Sequence, residues 1–140
     1  MRLGAVAVLA GCLLWLQAGP REVALRGHVE CIGPDRQSVP CRSDSRDFAF
    51  RTESGERYFF LADDDRTRMF HDPRVREKLL EIRAWDRGGG NLELVRVYSI
   101  KDGKLFDLHY YCSVCSIRSY AGGPCWCCQQ EFELRETPLP

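Results

Sequence analysis

Tyr110-Tyr-Cys-Ser-Val-Cys-Ser-Ile-Arg-Ser-Tyr-Ala-Gly-Gly-Pro-Cys-Trp-Cys-Cys-Gln-Gln-Glu-Phe-Glu-Leu134 holds five of the eight cysteines in a 140-residue chain. Cys112 and Cys115 form one C-x-x-C pair, Cys125 and Cys128 a second, and nine residues separate them. A C-x-x-C turn aims two sulfurs at one point, and two facing turns complete a tetrahedron suited to Zn²⁺ at about 2.3 Å per bond. Gly122, Gly123 and Pro124 supply the chain reversal that so short a connection needs. Twenty-five residues have too little interior to offset their own ordering entropy, so a staple is expected, by metal or by disulfide. A structural zinc contributes about 10–16 kcal/mol of apparent binding energy in small peptides, and one disulfide about 2–4 kcal/mol.

The same stretch resembles the short heavy-metal-binding domain found beside copper-transporting ATPases and in periplasmic metal-efflux adaptors. Tyr110, Cys112, Cys115, Arg118, Ser119, the glycines before Cys125, Cys128 and Leu134 carry the likeness. It implies metal coordination by Cys112, Cys115, Cys125 and Cys128. That family commonly has His where Cys115 stands, and Gly-Met after its last cysteine, where this chain has Gln129-Gln130. Without a methionine, an all-thiolate Zn²⁺ site, or one for another thiophilic ion, is favoured over a copper(I) site. Cys127 lies between two expected ligands and is left open as a competing ligand, a disulfide partner or a free thiol. A disulfide-closed interaction module and a thiol-redox protein are the alternatives to metal binding.

Upstream, the pattern is mainly β with one short helix. Val23, Leu25, Gly27, Val29 and Cys31 alternate through a first strand that ends at Gly33-Pro34. Asp47 to Thr52 and Arg57 to Leu61 form a hairpin across Ser54-Gly55. Asp72-Pro73 is a helix start, with the helix giving way to a strand near Leu80. Gly88-Gly89-Gly90-Asn91 turns the chain into Leu92 to Ile100, whose apolar phase slips at Leu94-Val95 as at a bulge. Lys101-Asp102-Gly103-Lys104 turns it again, into Leu105 to Tyr111. This order predicts a small Greek-key barrel of the OB type with its helix between the third and fourth strands. It also resembles small exported bacterial OB-like proteins, with Gly27, Val29 and Cys31 carrying that likeness. The expected organisation is a signal peptide over 1–18, a barrel over 23–109 and a zinc-ribbon-like knuckle over 110–134.

The first residues give the compartment. Arg2 followed by the apolar run Leu3 to Leu16 and the small Ala18 has the make-up of a secretory signal cleaved after Ala18. The run is short for a membrane span, which needs about 20 residues. Leu9-Ala10-Gly11-Cys12 also has the form of a lipobox, so anchoring of a lipoprotein through Cys12 stays open. The protein is expected to be exported, periplasmic or secreted, where disulfides persist. Cys31 and Cys41 are then the natural bridge, closing a ten-residue step; loop entropy gives such a bridge about 3 kcal/mol.

Twenty basic and twenty acidic side chains cancel, so charge points neither to nucleic acid nor to an anionic membrane surface. The expected partners are a metal ion and an envelope protein. His109 is weighed as a fifth ligand against a polar strand position. Asp63, Asp64 and Asp65 lack calcium-loop spacing and are expected to be a solvated turn. Phe48, Phe50, Tyr58, Phe59 and Phe60 are expected in the core rather than on a stacking platform. No phosphate loop, nucleophile elbow or βαβ-borne C-x-x-C is present in the sequence, so a non-enzymatic role is expected.

Overall fold

The computed structural model of the chain describes residues 19–140. The expected signal peptide, its cleavage after Ala18 and the lipidation of Cys12 therefore concern residues outside those described. No helix among the described residues is long and apolar enough to cross a membrane.

The protein is mainly β, and its sheet closes in a ring. The long first strand β1 (Arg21–Ile32) makes closure possible, because its two halves pair with different neighbours. From Gly27 to Cys31 it runs against β3 (Phe48–Thr52), and from Arg21 to Gly27 against β5 (Leu80–Asp86), antiparallel in both cases. Gly27 pairs with both Thr52 and Leu80 and is the point where the strand changes partner. A Cβ there would lie 1.9 Å from the Arg51 carbonyl oxygen, so this bend admits only glycine without moving backbone. A two-residue strand, β2 (Ser38–Val39), folds back on the end of β1, and the Cys31–Cys41 disulfide closes the same loop.

β3 and β4 (Arg57–Phe60) form the expected hairpin, with Gly55 at φ 90° in its turn. β5 and β6 (Asn91–Lys101) form another, entered through Gly88, Gly89 and Gly90, all at positive φ. The ring closes where β4 and β6 pair in parallel, Phe59 opposite Asn91 and Phe60 opposite Leu92. The expected bulge is present: Arg83 and Ala84 face Arg96 and Leu94, leaving Val95 as the extra residue. Buried positions accordingly pass from Leu92 and Leu94 to Val97 and Ser99. The interior is filled by Phe50, Met69, Phe70, Ile82, Leu94 and Val97, all fully buried.

Between β4 and β5 the structure corrects the sequence reading. The α-helix is one turn, α1 (Pro73–Arg76), with Asp72 capping it as expected by accepting from the Arg74 N–H. Before it lies a 3₁₀ segment, Asp65–His71, which drives Met69 and Phe70 into the core. Asp64 is not part of a solvated turn. Its side chain is 5% exposed, caps the 3₁₀ segment through Oδ1 and accepts the Leu94 N–H through Oδ2 at 2.7 Å. Phe48 and Phe50 are core residues as expected, whereas Phe59 stays half-buried beneath the guanidiniums of Arg36 and Arg57.

β7 (Lys104–Cys112) leaves the ring through the hairpin with β6 and continues unbroken into the cysteine segment. The 109/110 boundary read from the sequence falls inside this strand. Beyond the ring, Tyr110 and Tyr111 pair with β8 (Ile117–Ser119) on one edge and with β9 (Glu133–Pro138) on the other. Tyr110 is 1% exposed, and its hydroxyl donates to Asp72 Oδ2 at 2.7 Å, which ties the helix cap to the root of the cysteine segment.

Candidate metal centre

Two turns of the same construction present the four cysteines. Cys112 ends β7, and the chain turns through Cys115 to Ser116, which sits at φ 57° before β8 begins. Cys125 follows the bridge between Pro124 and Glu131, and the chain turns through Cys128 to Gln129 at φ 64°. In the second turn Cys125 N–H donates to Gln130 O at 2.7 Å and Gln129 N–H to Cys125 O at 2.8 Å. The left-handed residue directly after each second cysteine reverses the chain so that both sulfurs of a turn point the same way. Ser119 sets the approach between the turns, its hydroxyl accepting the Ala121 N–H and donating to the Ala121 carbonyl.

The ligand atoms of Cys112, Cys115, Cys125 and Cys128 all lie within 4.8 Å of one another. Cys112 Sγ and Cys128 Sγ are 3.5 Å apart. Four sulfurs at about 2.3 Å from a tetrahedral zinc stand about 3.8 Å apart, so this spacing suits a shared ion, whereas a disulfide requires about 2.05 Å. All four are free thiols, as is Cys127, which is exposed. Cys112 and Cys125 are buried, and Cys115 and Cys128 half-buried.

The electrostatics of the set favour a cation. At Cys125 burial works against ionisation, but the backbone N–H groups of Cys128 and Cys127 and the neighbouring thiols bring its pKa down to about 7. At Cys112 the Cys115 N–H favours the thiolate, yet burial and the thiols of Cys128 and Cys125 outweigh it and the pKa rises. At Cys115 the thiol of Cys127, burial and the thiol of Cys128 also raise it. One thiolate thus forms readily at the expense of its neighbours, since several negative sulfurs cannot share so small a volume alone. A thiophilic dication removes that conflict, and the donor set fits one.

The structure therefore brings together all four cysteines picked out in the sequence and leaves Cys127 outside the set. His109 does not join it as a fifth ligand. It is 6% exposed, and its Nδ1 lies 3.3 Å from the Asp107 carbonyl oxygen. Arg118 donates to Asp107 Oδ2 at 2.6 Å. Burial first, then the Arg118 charge, lowers the His109 pKa below its ordinary 6.5. Cys31 and Cys41 form the expected disulfide and are not part of the thiol set.

Sequence reasoning missed the support that holds the set in place. β9 pairs with β7 from Phe106 to Tyr111 and fastens the end of the chain across the root of the cysteine segment. Phe132, which precedes β9, packs against Trp126 with ring centroids 5.2 Å apart. Phe132 and Leu134, two residues apart, were the available signal, and the charge at Glu136 cuts it short.

The chain was compared with protein-family models, with curated proteins and with solved structures, and it matches none of them.

Proposed function

We propose that this is an exported, non-catalytic metal-binding protein. In this reading the ring is an OB-type barrel carrying a zinc-ribbon-like knuckle, and Cys112, Cys115, Cys125 and Cys128 hold one Zn²⁺ or another thiophilic ion as thiolates. The observation that carries it is the convergence of four cysteine sulfurs within 4.8 Å. The strand order supports the barrel, since five strands close through a parallel β4–β6 pair and the helical segment lies between β4 and β5. The Cys31–Cys41 disulfide supports export to an oxidising compartment. When bound, the ion supplies charge neutralisation and a four-way crosslink. The residues around it set its geometry: backbone N–H groups direct Cys112 and Cys125, and Ser116 and Gln129 shape the turns.

The role that follows is a structural zinc site or metal homeostasis at the cell envelope, with an envelope protein as a partner of the barrel. Purified mature protein should contain one metal per chain by elemental mass spectrometry. Chelation should expose four thiols in addition to Cys127. Absence of metal, with at most one titratable thiol, would mean a disulfide-closed interaction module instead.

A further inference from the structure

A cleft of about 450 Å³ lies between the ring and the knuckle. Arg46, Arg68 and His71 line the ring side, and Gly123, Glu131 and Phe132 line the knuckle side. Asp72, Arg74 and Tyr110 also line it, but their charges and polar atoms are engaged with one another. Asp72 accepts from Arg74 Nη2 at 2.7 Å and from the Tyr110 hydroxyl at 2.7 Å. Arg76 nearby is spent on the Phe70 and His71 carbonyls, at 2.7 and 2.9 Å.

Arg46 and Arg68 differ from these neighbours: among the described residues neither has an ion pair or a side-chain hydrogen bond, although most other arginines have one. Glu131, across the cleft, is likewise uncommitted among the described residues. In a chain whose charges balance overall, two unpaired guanidiniums and one unpaired carboxylate around one concavity are a local imbalance of positive charge.

The backbones that carry these groups are fixed in advance. The loop bearing Arg46 is tied by the Cys31–Cys41 disulfide, by Ile32 N–H to Asp47 O at 3.1 Å and by Arg42 N–H to Ser45 Oγ at 2.9 Å. Arg68 precedes the fully buried Met69 and Phe70 on the 3₁₀ segment, which Asp64 caps. Glu131 is placed by its backbone bridge to Pro124 and by Phe132, which is 7% exposed. Cations on pre-ordered backbone lose less freedom on capturing an anion, and planar guanidiniums match the paired oxygens of an oxyanion.

We propose that the cleft binds a small organic acid, with Arg46 and Arg68 clasping its anionic head and Glu131 accepting a hydroxyl hydrogen bond from the same molecule. The volume suits one small ligand. Glu131 opposes polyanions, which places hydroxy acids and acidic sugars ahead of phosphate esters. The inference rests on the position of the knuckle and not on which staple holds it, so it stands apart from the metal reading.

Isothermal titration calorimetry of the mature protein as purified, with glucuronate and with inorganic sulfate as probes, tests it. Glucuronate should bind saturably, and R46A/R68A should weaken it about tenfold or more. E131A should act with opposite sign on the two probes: glucuronate loses its hydroxyl acceptor and binds more weakly, whereas sulfate loses a repulsive neighbour and binds more tightly. All three positions are exposed, and circular dichroism checks that each variant is folded. No saturable glucuronate binding up to about 10 mM, an R46A/R68A affinity equal to the parent's, or an E131A effect of the same sign on both probes would overturn the proposal.

Discussion

Alanine at position 27 tests the ring most sharply. Its Cβ would stand 1.9 Å from Arg51 O and 2.8 Å from Thr52 Cα, where ordinary contact begins at 3.4 Å, and both atoms are backbone that cannot rotate away. β1 must then part from β3 at the residue where it is also paired to β5. Disruption of about two ladder hydrogen bonds at about 1 kcal/mol each, together with overpacking strain of about 1–3 kcal/mol, gives a loss of about 3–5 kcal/mol. That is a large part of the total stability of a small domain, about 5–15 kcal/mol. With a urea slope of about 1.5 kcal/mol/M, the G27A unfolding midpoint should fall by roughly 2–3 M, with the slope itself unchanged. Equilibrium urea unfolding followed by tryptophan fluorescence reads it. A loss below about 1 kcal/mol would refute the close approach of β1 and β3 at Gly27, and with it the way the ring closes.

Other expectations follow from the same geometry. Y110F removes a buried hydrogen bond to a carboxylate and should cost about 1.5–3 kcal/mol in the same urea assay; an unchanged midpoint would mean that Tyr110 does not tie the helix cap to the cysteine segment. C112S or C125S should abolish metal retention through gel filtration, whereas C127S should keep one metal per chain; equal loss in all three would make Cys127 a ligand. Acid should destabilise the fold in two steps. His109 titrates below its ordinary 6.5 in the fold, so the unfolded chain takes up that proton first and stability declines as pH drops below 6.5. In Asp72 burial opposes ionisation, but Arg74 and Tyr110 outweigh it. In Glu136 burial is likewise outweighed, there by Lys101, Lys78 and Ser99. Their contributions are present above the ordinary values of 3.8 and 4.5 and disappear as pH falls through the lower folded values. His71, lowered by burial and then by the Arg46 charge, adds to the same first decline. H109N should therefore reduce the first decline and leave the second, and a parent-like profile in H109N would assign the first decline to other groups.

Local chemistry made much of the fold legible in the sequence. The turns at Gly55 and at Gly88 to Gly90, the Asp72-Pro73 helix start, the slip at Val95 and the Cys31–Cys41 bridge depend on a few adjacent residues or one short loop, and each is present. The four-cysteine set was legible because each C-x-x-C turn converges its own two sulfurs and only nine residues separate the two turns. What sequence reasoning missed depends on distant partners. In β9 the inward position after Leu134 is a charge, Glu136, sustained by Lys101 of β6 and by Lys78 Nζ at 2.9 Å, so the apolar alternation that marks a strand breaks off. Asp64 looked like one of three solvated aspartates because its partner, the Leu94 N–H, lies thirty residues away. The cleft was invisible for the same reason: Arg46, Arg68 and Glu131 come from three separate segments.

X-ray absorption at the zinc edge of the purified mature protein measures the central claim directly. A single shell of four sulfurs at about 2.3 Å, absent in C112S, is the predicted result. A spectrum fitted by nitrogen or oxygen scatterers, or zinc at background level in protein whose four cysteines are covalently paired, would contradict the shared ion on which the account rests.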